Sequence, residues 1–119
     1  MKSLHRTKAL TAYEAARMAL KNDMTYPAYM MLKEAARGTL AYIVEDSQNR
    51  EISEKTKLQK LLDWANEVDL PPNGYENISY LIQAESKGLS EILTLPLDEL
   101  NKVKKTIKLM IGEHLRQNV

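Results

Sequence analysis

The 119 residues are one domain's length of chain, enough to bury a core and too few for two. An apolar fraction of 44% with 28% charged residues excludes a wholly disordered chain, and a formal net charge of +1, from 17 basic and 16 acidic side chains, supplies no global field to hold nucleic acid or an anionic membrane. Cysteine is absent, which excludes disulfides, thiolate nucleophiles and sulfur-ligated metals.

The opening MKSLHRTKAL lacks the apolar stretch of a signal peptide, and no run approaches the roughly 20 apolar residues of a membrane span. A cytoplasmic location without membrane contact is the expectation. From about residue 4 to 22 a first helix is predicted, with Ala9, Ala12, Ala16 and Leu20 on one face and Leu10 and Tyr13 beside it. Small residues on a helix face allow a close neighbour. The break that follows is compact. Asp23 or Thr25 is expected to cap the next helix, and Pro27 suits a first turn, where its missing N–H costs nothing. So short a connection makes the first two helices antiparallel neighbours.

The second helix, residues 26–46, is the one the others are expected to cover. At about 100° per residue, Tyr29, Leu32, Ala36, Leu40 and Ile43 form a stripe that Met31, Ala35 and Tyr42 widen past half the circumference. The polar stretch SQNREISEKT then reads as a loop. Ser53 is predicted to cap a third helix, with Glu54 in its first turn and Leu58, Leu61, Leu62, Ala65 and Val68 at helical spacing. Two prolines and Asn73-Gly74 end it. Ile78, Leu81 and Ile82 mark a short fourth helix closed by Gly88. The run through Leu89, Ile92, Leu93 and Leu95 reads as either a helical turn or a packed loop. Pro96 opens a last helix, with Asp98 and Glu99 near its start, lysines further along, and an inward stripe of Leu100, Val103, Ile107, Met110, Ile111 and His114. No segment alternates as a strand does. The expectation is a single all-α domain over residues 1–119, an up-and-down bundle of four to five helices.

Chemistry is sparse. There is no glycine-rich phosphate loop, no paired histidine motif for a metal and no nucleophile elbow, so no cofactor or metal is expected. His114, on the inward stripe of the last helix, is a candidate acid or base; the plainer reading is a histidine of a C-terminal turn, hydrogen-bonded or solvated and favourable to the helix dipole. His5 lies on the alanine face of the first helix, where packing explains it. Lys102, Lys105, Lys108 and Arg116 share one side of the last helix and could contact phosphates, or form its solvated face. Arg6 and Arg17, beside Leu10 and Tyr13, read as stacking or ion-pair partners, with Glu34 as a structural partner for such an arginine.

The run AYEAARMALKNDMTYPAYMMLKEAARGTLAYI resembles the first two helices of the HEPN superfamily (higher eukaryote and prokaryote nucleotide-binding domains). The positions that carry the likeness are Ala16, Leu20, Tyr26, Ala28, Glu34, Ala35 and Leu40. The segment TKLQKLLDWA is similar to the start of that family's third helix, with Lys57 where a histidine often stands. The likeness covers residues 8–66. It implies a four-to-five-helix bundle, usually dimeric, of the kind found in cytoplasmic prokaryotic proteins that partner a minimal nucleotidyltransferase or act as ribonuclease toxins. Catalytic members carry an arginine followed after four to six residues by a histidine. None of Arg6, Arg17, Arg37, Arg50 or Arg116 has a histidine at that spacing, and Lys108 before His114 lacks the guanidinium fork that grips phosphate. The functional expectation is therefore a non-catalytic interaction protein, a homodimer or the accessory subunit of a two-gene system. The alternatives are a degenerate HEPN-type ribonuclease using His114 and a nucleotide or nucleic-acid binder using the lysine side of the last helix.

Overall fold

Chain order in the computed structural model, which describes residues 2–119, is α1 (Lys2–Lys21), α2 (Thr25–Gln48), α3 (Leu58–Trp64), α4 (Gly74–Lys87), α5 (Leu89–Leu93), α6 (Leu97–Met110) and a π-helical turn (Ile111–Leu115). Among the described residues there is no strand, and no helix is long and apolar enough to cross a membrane. Six α-helices stand where four to five were expected, because the 89–95 run forms the short α5.

The apolar breadth of α2 has the consequence expected of it. Every other helical segment packs against α2, and Ala28, Tyr29, Leu32, Ala35, Ala36 and Leu40 are wholly buried. Its closest neighbour is α1, and small side chains make that approach possible. Gly38 faces α1 so tightly that a Cβ there would stand 3.0 Å from the His5 carbonyl oxygen and 3.1 Å from Ala9. The turn between them is closed by its own backbone. Asp23 lies in the left-handed region (φ 55°), its N–H donates to the Leu20 carbonyl at 3.1 Å and the Met24 N–H to the Ala19 carbonyl at 2.9 Å. That pairing terminates α1. Asp23 thus closes the first helix and does not cap the second; Thr25 is already helical, and Met24 holds the cap position without a side-chain bond.

Ser53 does not cap α3 either. Its hydroxyl accepts the Lys55 N–H at 3.1 Å and its carbonyl the Thr56 N–H at 3.1 Å, so it turns the chain four residues too early, and Lys57 stands at the helix start. The helix also stops at Trp64, with Ala65 and Val68 in a turn (Val68 N–H to Ala65 carbonyl, 2.9 Å). Between α2 and α3 the strap of residues 49–57 folds back along α2: Arg37, midway along that helix, donates to the Glu54 carbonyl. At the far end Gln48 Nε2 donates to the Trp64 carbonyl at 3.0 Å. The chain therefore enters α3 beside the middle of α2 and leaves it beside the end, running with α2 and not against it. Gly88 at φ 96° closes α4, as expected, and α4 lies antiparallel to α6, with Asn77 Nδ2 donating to Thr106 Oγ1 at 2.7 Å.

Candidate functional site

The beginning of α1, the end of α2, the strap and the C-terminal turn meet at one pole. His5 and Glu45 face one another there because each continues a small-residue face: His5 precedes Ala9 and Ala12 on α1, and Glu45 follows Gly38 and Ala41 on α2. Both are nearly out of solvent, with His5 1% and Glu45 8% exposed. His5 Nε2–H donates to the Ile52 carbonyl at 2.9 Å, and Glu45 Oε1 accepts the Ile52 N–H at 2.7 Å. The two side chains stand 3.7 Å apart. One strap residue is held at both its backbone groups, and its side chain is buried as well. Lys8 joins by pairing with Glu54 at 3.1 Å.

The second histidine comes to this pole from the other end of the chain. The helix loosens into a π turn at Ile111–Leu115, and His114, half-buried, leaves an enclosed Nε2 without a protein partner. Arg6 of α1 braces the same turn, Nε donating to the Leu115 carbonyl at 3.3 Å and Nη2 to Gln117 Oε1 at 2.9 Å. Lys2 pairs with Asp46 at 2.8 Å and lies 5.5 Å over the Tyr42 ring. The Lys2 hydrogen bond and charge, aided by Arg116 and His114, hold the Asp46 carboxyl below the usual carboxylate range. An open cleft of about 370 Å³ lies here, bordered by Lys2, Glu45, Asp46, Asn49, Arg50 and Glu51.

Chemically the pole is mostly closed. His5, Glu45 and Arg6 are committed to backbone groups, and no group of three metal-ligating side chains occurs among the described residues. Among the described residues, His114 Nε2 is the one enclosed polar side-chain atom without a partner. Glu45 and Ile52 were not singled out from the sequence. The available signal was the spacing of Glu45 from Gly38 and Ala41, and a lone isoleucine in an otherwise polar loop.

The remaining candidates lie apart in role. Lys102 pairs with Glu99 at 3.1 Å, and Lys105 and Lys108 are exposed on α6. Arg116 has left that helix in a left-handed conformation (φ 55°), and its charge acts on Asp46. Arg17 bonds Glu14 within α1, its Nε at 3.1 Å. Glu34 partners Arg37 at 3.2 Å, not Arg6 or Arg17. Lys57 borders a second cleft of about 440 Å³ with Arg37 and Lys33, where Lys33 pairs with Glu85 at 3.1 Å. Comparison of the chain with protein-family models, with curated proteins and with solved structures finds no match.

Proposed function

We propose that this chain is a non-catalytic helical-bundle protein that works through protein–protein contact, as a homodimer or as the accessory subunit of a two-gene system of the nucleotidyltransferase or toxin–antitoxin type. One observation carries the reading: His5, Glu45 and Arg6 are engaged in holding backbone, leaving His114 without a second free group beside it, while Leu89, Leu93 and Leu109 each lie more than half exposed. A convergent, unengaged polar set marks a catalytic site, and an exposed apolar surface marks a contact. Light scattering on the purified protein tests it. Association to a dimer, or to a defined complex with a co-expressed neighbour, is expected; a chain that stays monomeric at high concentration and forms no such complex overturns the reading.

A second reading has its own support. Arg6 reaches the turn that carries His114, so an arginine and a histidine with a spare ring nitrogen share the pole even though no sequence spacing pairs them. That is compatible with the degenerate ribonuclease alternative. RNA cleavage by the wild type, lost in His114→Ala, would support it; equal activity in both, or none in either, removes it.

A further inference from the structure

The strap of residues 49–57 lies on the α1–α2 pair as a bound peptide would. Residues 50–53 form neither helix nor turn, and within the strap one backbone–backbone bond is made, from the Thr56 N–H to the Ser53 carbonyl at 3.1 Å. Its anchors fall on alternate residues, the period of an extended chain. The Arg50 guanidinium lies 3.9 Å over the Trp64 ring, Ile52 is buried and bonded at both backbone groups, and Glu54 gives its carbonyl to Arg37 and its carboxylate to Lys8. Glu51, Ser53 and Lys55, between and beyond these, are exposed. His5 and Glu45, both nearly buried, address a peptide N–H and C=O, groups that every residue but proline carries. Only the seat of the Ile52 side chain and the ammonium of Lys8 read the strap's own sequence.

Resting on the protein–protein reading, we infer that the groove between α1 and α2 is a receptor for an extended segment of a partner protein, and that the strap is the ligand it holds in cis until the partner displaces it. In recognition of this kind main-chain bonds supply affinity and a side-chain pocket supplies selectivity. The strap defines the segment the groove fits: an aliphatic residue with a free N–H and C=O, and an acidic residue two positions on to meet Lys8. The cis hold is light. Ile52 is the only buried residue of the strap, and the contacts of Arg50 with Trp64 and of Glu54 with Lys8 are made by side chains open to water, where they are worth little. A segment held this way opens locally while the helices beneath it stay packed.

Fluorescence anisotropy of a labelled peptide of residues 47–57, titrated with the full chain, tests the groove. Tethering gives the cis strap an effective concentration in the millimolar range, so the wild type holds the peptide weakly. Ile52→Gly loosens the resident segment without touching the groove, and binds the peptide about tenfold or more tightly than wild type. A peptide carrying Ile52→Ser, or Glu45→Gln added to the Ile52→Gly chain, loses that gain; circular dichroism confirms that each variant is folded. Where Ile52→Gly does not fold, the wild type decides: Trp64 is the only tryptophan, and displacement of the strap by millimolar peptide takes Arg50 off its ring and changes its emission. Equal binding by wild type and Ile52→Gly places the peptide elsewhere and overturns the inference. So does a folded Ile52→Gly that binds none, or a wild-type emission that millimolar peptide leaves unchanged. If light scattering still shows a dimer or a complex with a co-expressed neighbour, such a result overturns the groove alone and leaves the protein–protein reading standing; a chain that shows neither overturns both.

Discussion

At one pole of the molecule the enclosed Nε2 of His5 is bonded to the strap, whereas His114, brought to the same pole by the last turn, keeps a ring nitrogen with no partner. The difference lies in what each faces. His5 sits in a regular helix against another regular helix, and the returning strap offers it the Ile52 carbonyl while Glu45 of α2 takes the Ile52 N–H. His114 sits where the helix widens by one residue per turn, and no strap reaches it. A buried polar group is neutral to stability only when its partner arrives with it. The strap's contact goes to the first histidine and none goes to the second.

Removing His5 should have the largest consequence. His5→Ala deletes a buried ring and strands the Ile52 carbonyl, and is expected to cost about 2–4 kcal/mol in urea unfolding. Glu45→Ala frees the Ile52 N–H and should cost about 2 kcal/mol. Because both act on one residue, the double substitution should cost less than the sum. Amide exchange at Ile52 reports the same clamp, being slow in the wild type and fast in Glu45→Ala. Strict additivity, with Ile52 already exchanging at the rate of an open loop, would break the contrast between the two histidines.

Tyr29 extends the comparison to a group satisfied in its neutral form. Its ring is wholly buried and its hydroxyl donates to the Leu81 carbonyl at 2.8 Å. Burial, with the charge of Glu85 behind it, pushes its pKa up to about 12. The unfolded phenol ionises near pH 10, so this group's contribution is intact below that and is lost as pH rises toward 12, about 2–3 kcal/mol in all. Tyr29→Phe should cost about 1 kcal/mol at neutral pH through the lost hydrogen bond, yet lose less stability between pH 10 and 12 than the wild type. Parallel stability curves through that window would show that Tyr29 ionises as freely folded as unfolded.

How far the sequence foretells this arrangement depends on the range of the contacts. The covered helix is legible because its evidence is internal: a stripe of apolar residues too wide for one neighbour needs no knowledge of which neighbours come. The closing of α4 at Gly88 is legible for the same local reason. The strap is not, since Ser53 followed by Glu54 satisfies the local rule for a cap, and what decides that Ile52 turns inward is its contact with Glu45 at the end of α2 and with His5, which is distant in sequence. The apolar spacing to Val68 likewise outlasts α3. A regular period extended past Met110 puts His114 on the inward stripe, but the π turn breaks that period and leaves the ring only half covered.

The smallest expected effect is at His114 itself. Its enclosed Nε2 has given up water without gaining a protein partner, so replacing the ring with an apolar side chain of similar size removes a desolvation cost and no bond. His114→Leu should be neutral or raise stability by up to about 1 kcal/mol, measured by the same urea unfolding that registers the loss at His5. The sign of the change distinguishes the two histidines more sharply than its size. A loss comparable to that of His5→Ala would mean that a partner fixed at Nε2, such as a bound water carrying the hydrogen bond onward, makes the second histidine as structural as the first.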